Sequence, residues 1–206
     1  LMALEVGQRS QRDFLDKLGL LSAMPTDAGP TAEPLRPQSW GKAEVVTISY
    51  GHGLAVAPLQ FAAAGASLVN GGWAVKPIFV EDSLSAAKRK RVLSEDTSSE
   101  IRRLMRLNVT SEAGSGRRAG VPGYDVGGKT GTADRAAAGK YDGKAVVTSF
   151  FAAFPMTEPR YVVLVTLHDP KGSGPGNRRV AGLNAAPVAG RIIARIGPLL
   201  GILPKR

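Results

Sequence analysis

The chain has 206 residues, 43% of them hydrophobic and 21% charged, and it contains no cysteine. That balance excludes wholesale disorder, a disulfide framework, a thiol nucleophile and a Cys-ligated zinc site. A formal charge of +10 suits either a polyanionic partner or the solvated face of a basic protein, and no aromatic-interleaved binding pattern accompanies it.

Leu1, Leu4, Phe14, Leu15 and Leu18 fall at near-helical spacings, and Gly19 offers a stop. This segment reads as an amphipathic helix already under way at residue 1, because no capping residue precedes it. Leu1 to Gly7 lacks the basic start and cleavage site of a signal peptide. Pro25, Pro30, Pro34 and Pro37 make residues 22–43 a loop. Glu44 to Gly53 reads as a short extended or irregular piece. Pro58 then opens a helix through Val69 that is apolar nearly all round, which predicts burial on every side. The apolar run Leu54–Val69 is too short for a bilayer, which needs about 20 residues. Asn70-Gly71-Gly72 ends the helix, and Trp73 to Val80 is predicted as a strand or strand-like return. After a polar connection, Asp96 or Thr97 caps a helix through about Val109, with Ile101, Leu104, Met105 and Asn108 on one face. Following a loop over 133–144, strands are predicted at Ala145–Phe154 and Tyr161–Leu167, joined by a link of hairpin length and so antiparallel. Pro187–Ile196 forms a last helix, with Ala189, Ile192, Ile193 and Ile196 inward and Arg191 and Arg195 outward. The fold class is α+β, an antiparallel sheet flanked by helices.

The richest motif is Gly123-Tyr-Asp-Val-Gly-Gly-Lys129-Thr130-Gly131-Thr132. As text it satisfies G-x-x-x-x-G-K-[ST], the loop that wraps phosphates in backbone N–H groups. Val162–Leu167 followed by His168-Asp169 imitates the strand and acid that hold Mg²⁺ in such proteins. A P-loop, however, needs a buried strand before the first glycine and a helix opening at the lysine. Here Arg117 to Pro122 has no strand pattern, and Gly131 is a poor helix former. A P-loop nucleotide-binding protein using Gly123–Thr130 therefore stands as an alternative with an unfavourable setting. A basic nucleic-acid-binding module is the other alternative.

In the second reading Lys129-Thr130-Gly131 lies on a strand. K-T-G accompanies S-x-x-K and S-D-N in class A β-lactamases and penicillin-binding proteins. Beside a cleft, Lys129 supplies a fixed positive charge, and the hydroxyls of Thr130 and Thr132 can bind a carboxylate. Gly131, without a side chain, lets a peptide lie against the strand, and the Thr132 backbone N–H can stabilise an oxyanion. Other segments agree: Ser49-Tyr-Gly-His-Gly53, Pro58-Leu-Gln60, Asn70-Gly-Gly72, Gly114-Ser-Gly116, Val121-Pro-Gly-Tyr124, Asp169-Pro170 and Ala185-Ala-Pro187. Together they resemble the class B penicillin-binding proteins, essentially from residue 1 to 200, and the monofunctional transpeptidases of bacterial cell division above all.

The resemblance implies a partial penicillin-binding/β-lactamase-like transpeptidase fold over residues 1–206. It implies a parent enzyme that cross-links peptidoglycan stem peptides by serine acyl transfer and is acylated by β-lactams. It also implies cell-division membrane proteins as partners, no nucleic acid, no cofactor and no metal. The parent would sit on the periplasmic face of the cytoplasmic membrane, anchored by an N-terminal helix outside this chain. Only the third family motif can be placed. Ser85-Ala-Ala-Lys88 fits S-x-x-K as text but lies in a polar connecting stretch and reads as an ordinary loop serine. No S-x-N occurs where the family has it, so the chain reads as starting just after that motif, with nucleophile and base absent and no acylation expected of it alone. Substrate binding is assigned to Lys129, Thr130, Gly131 and Thr132. His52 and His168, far apart in sequence and without a third ligand at metal spacing, read as structural.

Overall fold

The computed structural model describes residues 2–80, 90–137, 140–174 and 176–205, the side chains of 135–144 excepted. The chain divides into two compact units, Leu1–Thr97 and Ser98–Arg206. Ser85 and Lys88, and with them the S-x-x-K match, lie outside the described residues.

The first unit is helical. α1 (Met2–Lys17) is two helical pieces meeting at Gly7, whose φ of 77° breaks the helix, and Gly19 (φ 73°) follows its end. No α1 residue is buried. Leu4 and Phe14, predicted inward, are exposed, while Leu15 packs against the small core of Leu21, Trp40, Val45 and Ile48. That core explains α2 (Lys42–Ser49), a helix where the β-branched residues predict an extended or irregular piece. Tertiary packing overrides propensity: Val45 and Ile48, three apart, share the buried helical face. Gly41 N–H donates to the Glu44 carboxylate at 2.8 Å, satisfying a free donor at the N-terminus.

α3 (Pro58–Val69) begins at its proline as predicted. It is not buried all round, since Phe61 is exposed. The buried Gln60 holds the chain reversal after α1, its amide donating to the carbonyls of Gly19 and Ser22 at 2.5 and 2.7 Å. The strand predicted for Trp73–Val80 is absent beyond one bridge, Trp73 to Arg91. Its amide donors go elsewhere: Trp73 to Asn70 Oδ1, Val75 to Ser67 Oγ, and Phe79 and Val80 to the Asp27 carboxylate.

The second unit carries the sheet. α4 (Glu95–Thr110) is entered from Ser94, whose Oγ accepts from Thr97 N–H, ahead of the predicted cap. Its buried residues are Ser98 and Val109, and Leu104 is exposed. β1 (Gly127–Ala137), β2 (Lys140–Phe154) and β3 (Tyr161–His168) form an antiparallel sheet in the order β1-β2-β3. β1 and β2 run longer than predicted, taking up most of the segment read as a loop over 133–144, with a register shift between Asp134 and Arg135.

α5 (Ala185–Ile196) packs on β2 and β3, capped by Asn184 Oδ1 accepting from Ala185 N–H at 2.8 Å. Its inward face is Ala185, Ala186, Ala189 and Ile193, meeting Phe150, Ala152, Phe154 and Val165. Ile192, predicted inward, is exposed. The small side chains let the helix approach the sheet closely, and burial of Phe150 and Phe154 contributes about 1.5–3 kcal/mol each.

Candidate active site

Lys129, Thr130, Gly131 and Thr132 lie in the first half of β1, an end strand with no described strand on its other edge. The strand starts at Gly127 and runs through the lysine, so no helix opens there. A 3-10 turn, Arg117–Ala119, lies upstream of the first glycine instead of a strand. The P-loop reading is therefore wrong: a lysine on an extended strand has no ring of helix N-terminal N–H groups beside it. Asp169 is likewise engaged in structure, its carboxylate accepting from Val146 N–H at 2.9 Å where β3 ends against β2.

Alternation along β1 sorts the four residues onto two faces. Lys129 and Gly131 share a face with their cross-strand partners Phe151 and Ser149. Lys129 is exposed, and its Nζ donates to the Thr130 carbonyl at 2.7 Å. A Cβ at Gly131 would come within 2.7 Å of Ser149 Oγ, so the missing side chain answers a close approach across the sheet. Gly128, Thr130 and Thr132 occupy the other face. A Cβ at Gly128 would collide with the Phe151 carbonyl oxygen and fall within 2.6 Å of the Phe150 ring.

The strand is held by two side chains from α4: Asn108, predicted on one face with Ile101, Leu104 and Met105, and Arg106, which no pattern in the sequence singles out. Arg106 donates to the Val126 carbonyl at 2.7 Å and pairs with Asp125, also at 2.7 Å. Asn108 Nδ2 donates to the Gly128 carbonyl at 2.8 Å. A carbonyl can only accept, so the other amide atom of Asn108 is its oxygen, and Ser115 Oγ donates to it at 3.0 Å. Ser115 has one proton and has used it. The 2.8 Å contact between Ser115 and Thr130 hydroxyls therefore has Thr130 as donor. Thr132 is set the opposite way: its Oγ1 accepts from Ala181 N–H at 3.1 Å, leaving its proton available. Neighbouring hydroxyls on one strand thus present opposite polarity, Thr130 as acceptor and Thr132 as donor. The signal in the sequence is the polar Asn108 in an otherwise apolar helical stripe.

Both threonines border a cavity of about 330 Å³, together with Ser115, Arg117, Arg118 and Arg178. His52 and His168 belong to different units, and among the described residues no three metal-ligating side chains gather. His52 lies near the Tyr50 ring, with centroids 6.4 Å apart.

Residues 1–194 match the penicillin binding protein transpeptidase domain. The chain belongs to that family. It is 39% identical over its whole length to a probable peptidoglycan D,D-transpeptidase FtsI of Caulobacter vibrioides, covering 36% of that protein. It is 36% identical to the stage V sporulation protein D of Bacillus subtilis, over 81% of this chain and 26% of the relative. The chain thus spans about a quarter to a third of the length of these relatives. Among solved structures, the transpeptidase domain of Burkholderia pseudomallei penicillin-binding protein 3 superposes with a TM-score of 0.84 at 30% identity, over 99% of this chain and 61% of that one. Penicillin-binding protein 3 of Mycobacterium tuberculosis, complexed with ampicillin, gives 0.81 at 26% identity, over 97% and 48%. The penicillin-binding transpeptidase family and the mixed helix and antiparallel-sheet fold stand as read from the motifs, and the nucleic-acid alternative finds no support. No described helix is long and apolar enough to cross a membrane.

Proposed function

We propose that this chain is the C-terminal portion of the transpeptidase domain of a cell-division peptidoglycan D,D-transpeptidase, and that β1 is the strand on which its substrate peptide and β-lactams dock. The observation that carries this is the placement of Lys129–Thr132 on an end strand, with no strand on its other edge among the described residues, beside a cavity. An extended peptide can add to such an edge through main-chain hydrogen bonds. Lys129 supplies positive charge and Thr132 a free hydroxyl proton for the terminal carboxylate of the acyl donor. Thr130, its own proton given to Ser115, accepts an N–H from the same peptide. The Thr132 backbone N–H stabilises the oxyanion.

The nucleophilic serine and its base belong to the part of the domain carrying the first two motifs. The serine attacks the penultimate D-Ala carbonyl, terminal D-Ala leaves with a proton, and an acceptor amine then takes the acyl group and releases the serine. The parent works on the periplasmic side of the membrane, where its stem-peptide substrate is, held by an N-terminal helix and accompanied by division proteins.

Labelled penicillin with denaturing electrophoresis tests the reading. The 206-residue chain alone takes no covalent label, whereas the complete transpeptidase does, and Lys129→Ala in it slows labelling at least about tenfold (~1.4 kcal/mol per tenfold). A band on the isolated chain that disappears in Ser85→Ala would reverse the assignment of the nucleophile.

A further inference from the structure

The cavity next to Thr130 and Thr132 has a chemical character that the proposed docking strand does not account for. Its lining includes Arg117, Arg118 and Arg178 and no acidic residue. Among the described residues no carboxylate forms an ion pair with any of the three. The sequence offers little local compensation: from Pro170 to the C-terminus there are seven basic residues and no acid. Arg117 and Arg118 are set by the 3-10 turn after Ser115, and Arg178 by the bridge between Ser173 and Arg178. Ordered backbone thus brings cations from two separate segments to one hollow. At about 330 Å³ the hollow lies at the lower end of small-molecule sites, roughly 300–1,000 Å³, and exceeds what one carboxylate fills.

We propose that this cavity is an anion-selective side-chain subsite: it favours acyl donors and β-lactams that carry a second carboxylate in addition to the terminal one. The inference rests on the docking reading of β1 given above. Within it, Lys129 and Thr132 take the terminal carboxylate, and the three arginines act on the second through guanidinium–carboxylate pairing. All three arginines are exposed, so the selection is screened by salt.

The test uses the complete transpeptidase and two penicillins that share a nucleus: benzylpenicillin, with an uncharged side chain, and carbenicillin, whose side chain bears a carboxylate. Second-order acylation rates are measured for the wild type, Arg117→Glu/Arg178→Glu and Arg117→Lys/Arg178→Lys. Charge reversal is expected to lower the carbenicillin-to-benzylpenicillin rate ratio about tenfold, benzylpenicillin, which carries only the terminal carboxylate, being slowed much less than carbenicillin. The lysine variant keeps most of the ratio, and about 1 M salt narrows it in the wild type. Should the reversed protein fail to fold, Arg178→Gln serves, with a fall of about threefold. An unchanged ratio in the charge-altered proteins overturns the proposal, including the case where both rates fall together. A wild type acylated by neither penicillin overturns instead the docking reading beneath it.

Discussion

Asn108→Asp tests the link between α4 and β1. The two side chains are nearly isosteric, so no cavity forms and the change isolates hydrogen bonding. The carboxylate introduced there cannot donate to the Gly128 carbonyl, which accepts from the native amide at 2.8 Å, and a carboxylate oxygen facing a carbonyl oxygen is repulsive. Gly128 is buried, so its carbonyl finds no ready replacement from solvent. Leaving a buried acceptor unsatisfied costs about 1–3 kcal/mol. A carboxylate still accepts from Ser115, so that half of the relay survives. About 2 kcal/mol of destabilisation follows, a fall in Tm of about 4–8 °C for a chain of this size. Urea unfolding of wild type, Asn108→Asp and Asn108→Ala reads it directly, with both variants losing stability and the slope with denaturant unchanged. Asn108→Asp within about 0.3 kcal/mol of wild type would refute the reasoning, because Gly128 would then not depend on that amide.

Gly128→Ala is expected to cost about 3 kcal/mol or more, since the new methyl meets a backbone oxygen and a buried ring that have no room to move; calorimetry checks it, and a loss under about 1 kcal/mol contradicts the packing described. On α4, the side-chain hydrogen bond from Arg103 holds the Glu100 carboxyl below its ordinary range. A depressed carboxyl stabilises above its unfolded value and loses that contribution as pH falls through its folded one. Glu100→Gln should therefore differ slightly from wild type at neutral pH and converge with it in acid, as followed by pH-dependent urea unfolding; a difference that grows in acid would give the wrong sign.

Much of the sheet unit is legible in the chain. Tyr161–His168 and the distal half of β2 are runs of β-branched and aromatic residues flanked by turn signals, and such runs find partners on either side in any arrangement that buries them. The P-loop ambiguity is also resolvable from neighbours, because a helix cannot begin where the residues before and after refuse it. The helical unit is harder. Val45, Val46, Thr47 and Ile48 favour extension by themselves, and become a helix because Leu21 and Trp40 take Val45 and Ile48 on one face. Trp73–Val80 has a strand's composition, but apart from Ala74 N–H, which donates to the Lys90 carbonyl in the single bridge, the amide donors described go to side chains of Asn70, Ser67 and Asp27, and no ladder extends.

Lys129–Thr132 can be proposed as binding residues from the sequence alone, since lysine, hydroxyl and glycine at consecutive positions carry their chemistry wherever the strand lies. Which way each hydroxyl points its proton cannot. That depends on Asn108, Ser115 and Ala181, which stand 20, 15 and 49 positions along the chain from their partners Gly128, Thr130 and Thr132, and are brought to them only by packing. Proton direction is a property of a closed set of partners, because each hydroxyl has one proton to give. A linear string lists the donors; the folded sheet and its neighbouring helices decide who receives.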